Sequence, residues 1–257
     1  MSTEARSLPM NPAEFENIAR AEQRFWWFRG MRRILFGMLD PVVRSRRIER
    51  ALEAGCGTGY FARQVQERYG WHVYPVDYGL AGLRYGRDLG VGRMAQADIG
   101  ALPFPAGAFE AVLSLDVLVH FPRGEEGGAV VELGRVLARG GLLVLRVSAL
   151  DALRSRHSEF AFERQRFTRG RLVRLVERSG FRVLRCTYAN SLLLPVALMK
   201  FRVWEPLLGR PPASGLAGTP GWLDRLLYLP LTGEARWLGA GHNFPLGQSL
   251  ILIGERS

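Results

Sequence analysis

Lysine is almost missing from this chain. Of 35 basic residues among its 257, Lys200 is the one lysine and the rest are arginine. So lopsided a ratio points to GC-rich coding as much as to selection for binding. Cysteine is scarce as well. Cys56 and Cys186 are too few for a disulfide scaffold or a Cys-rich zinc or iron–sulfur framework. No CxxxCxxC run supplies ligands for cluster-based radical chemistry, and no cluster reads as a metal site. Long apolar runs are missing too. The longest, Leu192 to Met199, has eight residues and contains Pro195, where a spanning helix needs roughly 20. Met1 to Arg20 carries acids and no apolar signal-peptide core. The expectation is a cytoplasmic protein.

What is present is enough to fold. The length fits one large domain, and 47% hydrophobic residues can bury a sizeable core. The net charge is +11. Its excess is local: Arg139 to Arg185 holds 12 arginines against Asp151, Glu159, Glu163 and Glu177. Such a stretch is either a solvated basic face or a surface that meets phosphate.

Apolar spacing predicts a helix from Pro12 to about Asp40, capped by Asn11 and stopped by Pro41. Strands are expected at Ile48–Ala54, Trp71–Val76, Met94–Ala97, Ala111–Leu115 and Leu142–Ser148. Helices at Tyr60–Tyr69, Leu80–Leu89 and Gly127–Leu137 alternate with them, the last closed by Gly140-Gly141. Helix Arg169–Arg178 and strands Phe181–Thr187 and Gln248–Gly254 follow. This alternation indicates an α/β fold with a mostly parallel sheet. The last two strands lack a crossover helix immediately between them, which suits an antiparallel edge pair. About 60 residues lie between those strands, too many for a plain loop. They hold an apolar helix candidate (Ser191 to Leu208), a Pro/Gly linker (Gly209 to Gly221) and a second apolar segment (Trp222 to Leu238) broken at Pro230. We expect a single domain. Residues 1–47 form an N-terminal helical lid, 48–187 and 248–257 the core, and 188–247 an apolar inserted subdomain.

The most informative run is Glu53-Ala54-Gly55-Cys56-Gly57-Thr58-Gly59. Its glycines follow a strand and open a helix, giving a tight turn that a ligand can approach closely. Dinucleotide folds use a related turn, GxGxxG. Here the run is GxGxG with an acid two residues ahead. A carboxylate so near the turn suits a cationic ligand, such as the sulfonium and amino group of S-adenosylmethionine. Asp77 suits a ribose diol, since a carboxylate accepts both hydroxyl protons. Asp98 suits the adenine amino group, with Ile99 against the ring.

These motifs resemble the class I S-adenosylmethionine-dependent methyltransferases, in particular the bacterial type-11 group. AQADIGALPFPAGAFEAVLSLDVLVHF is similar to that group's "D…LPF…sFD-V…vl-H" stretch, and VELGRVLARGGLLVL to its "E…RVL-PGG-lll". Glu110 stands where Asp is usual, and Ala138-Arg139 where Lys-Pro is. RFWWFRGMRRIL, HSEFAFERQRFT, YANSLLLP and NFPLGQSLIL resemble one bacterial subgroup with a WWF…RR opening. Ser158 and Glu163 replace an acid and a His of that subgroup. The resemblance implies a Rossmann-like seven-stranded sheet with the last strand antiparallel. It also implies S-adenosylmethionine across the strands' C-terminal ends, leaving as S-adenosylhomocysteine. Glu53, Gly55, Cys56, Gly57 and Gly59 would hold the methionine end, Asp77 and Tyr78 the ribose, and Asp98 and Ile99 the adenine. Leu115 would lie near the methyl. Trp26, Trp27 and Arg32 would form a lid over the cofactor carboxylate, or else a helix packing stripe.

His120 falls where the family's "vl-H" histidine does, and can take a hydroxyl proton near neutral pH. His157, Arg166 and Asn190 fall on the substrate side. Asp116 follows Leu115, either facing the site or satisfying a backbone donor. The Ser-Leu-Asp-Val run after the fourth strand is not the Asn/Asp-Pro-Pro-Tyr of amide and base N-methylators. No cysteine pair suits pyrimidine C5 methylation, and no Asp-Asp-Asn cluster suits a catechol Mg²⁺ site. A small-molecule, glycan or lipid-linked acceptor is the expectation, methylated at oxygen with carbon and nitrogen as alternatives, and with peripheral contact at the inner face of the membrane. The alternatives are a nucleic-acid methyltransferase or binder driven by the charge, or a cofactor-binding protein without turnover.

Overall fold

The computed structural model describes residues 10–209, 211–216 and 219–257. Residues 1–9 of the expected lid, and 210 and 217–218 of the expected linker, lie outside them. The strands are β1 (Arg50–Ala54), β2 (His72–Asp77), β3 (Ala95–Gln96), β4 (Phe109–Leu115), β5 (Leu137–Ser148), β6 (Phe181–Ala189) and β7 (Ser249–Arg256). They form one seven-stranded sheet in the order β3-β2-β1-β4-β5-β7-β6. The first five pair in parallel, and β7 runs antiparallel between β5 and β6. The expected Rossmann-like sheet is therefore the observed one.

The helices are α1 (Pro12–Ala21), α2 (Trp26–Val43), α3 (Tyr60–Tyr69), α4 (Leu80–Asp88), α5 (Glu126–Val136), α6 (Arg156–Phe160), α7 (Arg169–Arg178), α8 (Leu194–Met199), α9 (Glu205–Leu208) and α10 (Gly221–Gly239). Both faces of the sheet are covered, which is why the middles of β4 (Ala111 to Leu113), β5 (Leu142 to Leu145) and β7 (Leu250 to Ile253) read as apolar runs. On one face Leu52, Val112, Leu143 and Leu145 pack with Leu133 of α5 and Val176 of α7. On the other, Ala51, Leu113 and Val144 pack with Met31 and Leu35 of α2, Val65 of α3 and Leu231 and Leu238 of α10.

Several expectations are corrected. The helix from Pro12 to Asp40 is two helices. The Asn11 cap holds, its Oδ1 accepting from the Ala13 amide. The break falls at residues 22–25, where Glu22 turns its carboxyl onto the Thr58 hydroxyl at 2.6 Å and the chain restarts from an extended Phe25. Pro41 does not stop α2, which runs on to Val43. The ring removes one hydrogen bond near the helix end, and the buried Met38 and Leu39 outweigh that loss. Pro230 likewise sits inside an unbroken α10, held by Leu231, Ala235 and Leu238. The pairing of α2 with α10 is close. A Cβ on Gly30 would lie 2.2 Å from Leu231 Cδ1, so only glycine fits there. Gly140-Gly141 does not close α5, which passes directly into β5. The register jumps from Phe109↔Leu137 to Ala111↔Leu142, so these glycines belong to a bulge.

Candidate active site

The C-terminal ends of β1, β2, β4 and β5 open into a cavity of about 440 Å³, walled on its outer side by α1, α2, α6 and the chain around Lys200 and Gly215. Its floor is the glycine turn. Gly55 has φ +82 and Gly57 φ +58, conformations that side chains resist. A Cβ on Gly55 would also lie 2.1 Å from Val117 Cγ2. The amides of Gly55 and Cys56 donate to the Val76 carbonyl at 2.8 and 2.9 Å, tying the turn to the end of β2.

Asp77 completes that tie. Its carboxylate accepts from the Gly57 amide and the Gly79 amide, both at 2.7 Å. Burial nevertheless raises its pKa to about 6, the two amides opposing the rise. Glu53 projects from the end of β1 and is 3% exposed. Its Oε2 is buried without a hydrogen-bond partner. Burial pushes its pKa well up, the nearby Ala62 amide favours the charged form, and Glu22 and Asp77 add to the rise. Cys56 is buried and its thiol is pushed well up by burial, so it is no nucleophile. Asp98 accepts from the Gly100 amide at 2.8 Å and leads into the buried Ile99. Tyr78, Leu115, Trp27 and Arg32 also line the cavity. Among the expected cofactor residues, Gly59 stands back from it. Its φ of +71 caps α3, and a Cβ there would meet Met94 and Val91.

The opposite wall holds the expected substrate-side residues. His120 ends a 3-10 turn (Leu118–His120) beyond β4. Its Nδ1 lies 3.3 Å from the Phe162 carbonyl. A carbonyl only accepts, so Nδ1 carries the proton and Nε2 keeps a lone pair. Burial lowers the His120 pKa, with the Phe162 contact opposing, so the imidazole is neutral at pH 7. Arg166 donates to the Ala149 carbonyl (3.1 Å), Ser158 Oγ (2.9 Å) and Glu163 Oε2 (3.0 Å). His157 accepts from the Gly215 amide at 3.2 Å and lies 3.6 Å from Glu14, so it fastens the outer wall. Asn190 is buried at φ +54, with Oδ1 unpartnered.

Four features were not read from sequence. Glu22 is held by the Thr58 hydroxyl, and burial raises its pKa to about 7. Nothing local to residue 22 signals this contact. Arg146 pairs with Asp116, Nε to Oδ2 at 3.0 Å, and places its guanidinium 5.1 Å from the Trp27 ring centre. Here the sequence did carry a signal, a charge inside the apolar strand LLVLRVS. It also settles Asp116, which faces the cavity at φ +59. Glu163 lines the cavity, and its Oε1 is buried and unpartnered, as is Arg166 Nε. Phe15 of α1 covers the glycine turn, 4.0 Å from where a Gly57 Cβ would be.

The fold, the glycine turn and the carboxylates beside it are similar to those of class I S-adenosylmethionine-dependent methyltransferases. Residues 52–145 match the type-11 family model described as a methyltransferase domain. The chain is 34% identical over 101 residues to a sterol 24-C-methyltransferase of Gibberella zeae, 36% of this chain and 26% of that protein. It is 34% identical over 110 residues to a malonyl-[acyl-carrier protein] O-methyltransferase of Enterobacter lignolyticus, 42% and 43% of the two chains. The chain thus spans between about a quarter and under half the length of these curated relatives. The fold matches a chain from the complex of the Haloferax volcanii Trm112 methyltransferase activator with a methyltransferase. That match has TM-score 0.58 and 16% identity, covering 94% of this chain and 97% of that one. The acceptors named for these relatives differ, so the likeness singles out no substrate.

The residues present fit the cofactor. A buried carboxylate oxygen on Glu53 lacks a partner, and the turn leaves a cradle that side chains would fill. Burial raises the pKa of three acids here, Glu22, Glu53 and Asp77, as expected of a site that becomes neutral when a cation arrives.

Proposed function

We propose that this protein transfers a methyl group from S-adenosylmethionine to an oxygen of a small-molecule, glycan or lipid-linked acceptor, and that it belongs to the WWF…RR subgroup. One observation carries the reading. A single cavity joins Glu53, whose Oε2 has no partner, to the neutral, lone-pair-bearing His120. The cofactor, when bound, supplies an electrophilic methyl on a sulfonium. Glu53 and the glycine turn hold its cationic end, Asp77 and Tyr78 the ribose, and Asp98 and Ile99 the adenine. Arg32 and Trp27 cover the site. His120 Nε2 would take the acceptor's hydroxyl proton as the C–O bond forms and the methyl–sulfur bond breaks, with S-adenosylhomocysteine as the leaving group. Alignment of oxygen, carbon and sulfur contributes much of the rate.

Glu163 and Arg166 sharpen the acceptor class. Burial opposes ionisation of Glu163, yet the Arg166 guanidinium and neighbouring hydroxyls hold its pKa below the usual value. Oε1 of Glu163 and Nε of Arg166 are buried without a hydrogen-bond partner, and a hydroxyl of the acceptor is the group we propose to complete them. A lipid-linked acceptor also implies peripheral contact at the inner face of a membrane.

The nucleic-acid alternative rests on the net charge of +11. It is weakened because Arg146, Arg166 and Arg171 of the basic stretch turn inward, onto Asp116, Glu163 and Glu126. The test is calorimetric titration with S-adenosylmethionine and S-adenosylhomocysteine, beside a Glu53→Ala, Asp77→Ala double variant. Saturable binding lost in the variant supports the reading and opens a screen of hydroxylated acceptors. No binding to cofactor-stripped protein overturns it.

A further inference from the structure

The helices between β6 and β7 are apolar on the side that faces away from the protein. From Leu194 to Leu208 the chain is one helical rod, α8 and α9 joined by a π-helical stretch (Lys200–Trp204). Leu193 and Ala197 anchor it inward. Val196, Met199, Val203 and Leu207 recur every three or four residues and are exposed, Leu207 to 79%. The longer α10 repeats the pattern. Leu231, Ala235 and Leu238 face α2, while Trp222, Leu226, Leu229 and Trp237 lie outward, Trp222 exposed to 69% and Leu229 to 64%. A helix on an ordinary surface puts polar residues there, and apolar exposure on this scale marks a contact surface.

Charge identifies the occupant. Residues 188–247 contain three acids, and all are engaged from the inner side. Glu205 accepts from the Arg156 amide at 3.0 Å. Asp224 accepts from the Trp26 amide and Arg29, both at 2.9 Å. Glu234 is buried and accepts from the Ser191 amide at 2.8 Å. Lys200, Arg202, Arg225 and Arg236 are exposed on the same helices. The outward side thus presents tryptophan and aliphatic side chains fringed by cations only. That composition complements an anionic lipid surface, with apolar groups below the headgroups and cations among the phosphates. Among the described residues, no helix is long and apolar enough to cross a membrane.

We infer that the outward faces of α8–α9 and α10 dock this protein on an anionic bilayer, with the cavity mouth beside the membrane. The placement follows from the same rod, because Lys200 and Phe201 line the cavity. An amphipathic acceptor then reaches His120 from the bilayer without crossing water. This last step rests on the methyl-transfer reading; the docking itself does not.

The test is co-sedimentation of the full chain with vesicles of mixed phosphatidylglycerol and phosphatidylcholine, against pure phosphatidylcholine. Three proteins are compared: wild type, Leu207→Glu with Trp222→Glu, and Arg202→Gln with Arg225→Gln. All altered side chains are exposed, and an unchanged S-adenosylmethionine titration reports an intact fold. Wild type should sediment with the mixed vesicles. The acidic pair should cut partitioning roughly tenfold or more, since each change removes an apolar group from the interface. The arginine pair should lose roughly tenfold on mixed vesicles and little on neutral ones. Wild type remaining in the supernatant with both vesicles overturns the inference, as does an acidic pair that sediments like wild type. A concentration-dependent dimer abolished by the acidic pair, without vesicle binding, overturns it in favour of a second copy. Vesicle binding without cofactor binding leaves the docking and refutes the methyl-transfer reading; the converse result does the opposite.

Discussion

Replacing Glu53 with glutamine should stabilise the cofactor-free protein and weaken its hold on the cofactor. The side chain is 3% exposed, one of its oxygens has no partner, and Glu22 and Asp77 raise its pKa further. A buried polar atom left unpaired costs about 1–3 kcal/mol, and more when charged. Glutamine keeps the shape and removes the charge, although its amide still needs an acceptor. A gain of roughly 1–2 kcal/mol near pH 8 is expected, or roughly 2–8 °C in Tm for a chain of this size. The sign with pH is fixed. Below the ordinary value of 4.5 the carboxyl is protonated in folded and unfolded chains alike, and the advantage vanishes. As pH rises, the unfolded glutamate ionises while the folded one is held back, so wild type loses stability and the variant does not. Binding should move the other way. Loss of a charge-assisted contact to the cofactor's cationic end is worth about 1.5–3 kcal/mol, a factor of roughly 10–150 in Kd. Scanning calorimetry between about pH 4 and pH 8 and titration with S-adenosylmethionine read both effects. A variant that is less stable near pH 8 and binds the cofactor as wild type does would refute the assignment of Glu53.

Cofactor affinity should fall as pH drops, because Asp77 protonates near pH 6 and Glu22 near pH 7. Near pH 5 the Asp77 effect alone is about tenfold, and Asp77→Asn should flatten that part of the profile, weakening binding above about pH 6 and converging with wild type below it. His120→Gln should leave the cofactor Kd unchanged and lower turnover of any hydroxyl acceptor by roughly 10²–10⁴. Equal loss of binding would make His120 structural. Glu163→Gln should raise the acceptor KM and spare cofactor affinity; a change confined to cofactor affinity would remove Glu163 from the acceptor wall. Gly30→Ala should destabilise by roughly 1–3 kcal/mol through the clash with Leu231. Leu231→Ala in the same chain should relieve part of that cost, and strict additivity in denaturant melts would sink the packing argument.

What the sequence disclosed follows from how local each cause is. Both ends of α3 fall where expected because Gly59 and Gly70 terminate it with φ of +71 and +73, independent of the rest of the fold. The glycine turn and Asp77 are legible for the same reason: backbone amides two and twenty residues away complete them. The misread boundaries are those where distant packing overrules a local rule. Pro41 and Pro230 break nothing because α2 and α10 bury each other's inner faces. Arg146 and Arg166 look in sequence like members of a basic face. The folded chain turns them inward because the partners they need, Asp116 and Glu163, lie in the same cavity wall.

The two halves of the site differ in the same way, with a consequence for how substrate choice is encoded. The cofactor half is built from strand ends and the turns directly after them, so it is fixed by the sheet. The acceptor half is fastened by contacts between segments far apart in the chain: Glu14 with Ser214, His157 with Gly215, and the Arg156 amide with Glu205. None of these touches the glycine turn or its carboxylates. A change in α6 or the chain around Gly215 can therefore reshape the acceptor wall while leaving the cofactor half intact. Residues 52–145, which the family model matches, include the glycine turn, Asp77 and His120. The residues we propose for acceptor choice, His157, Glu163, Arg166 and Asn190, lie outside that stretch, so substitutions there should alter acceptor KM and spare cofactor Kd.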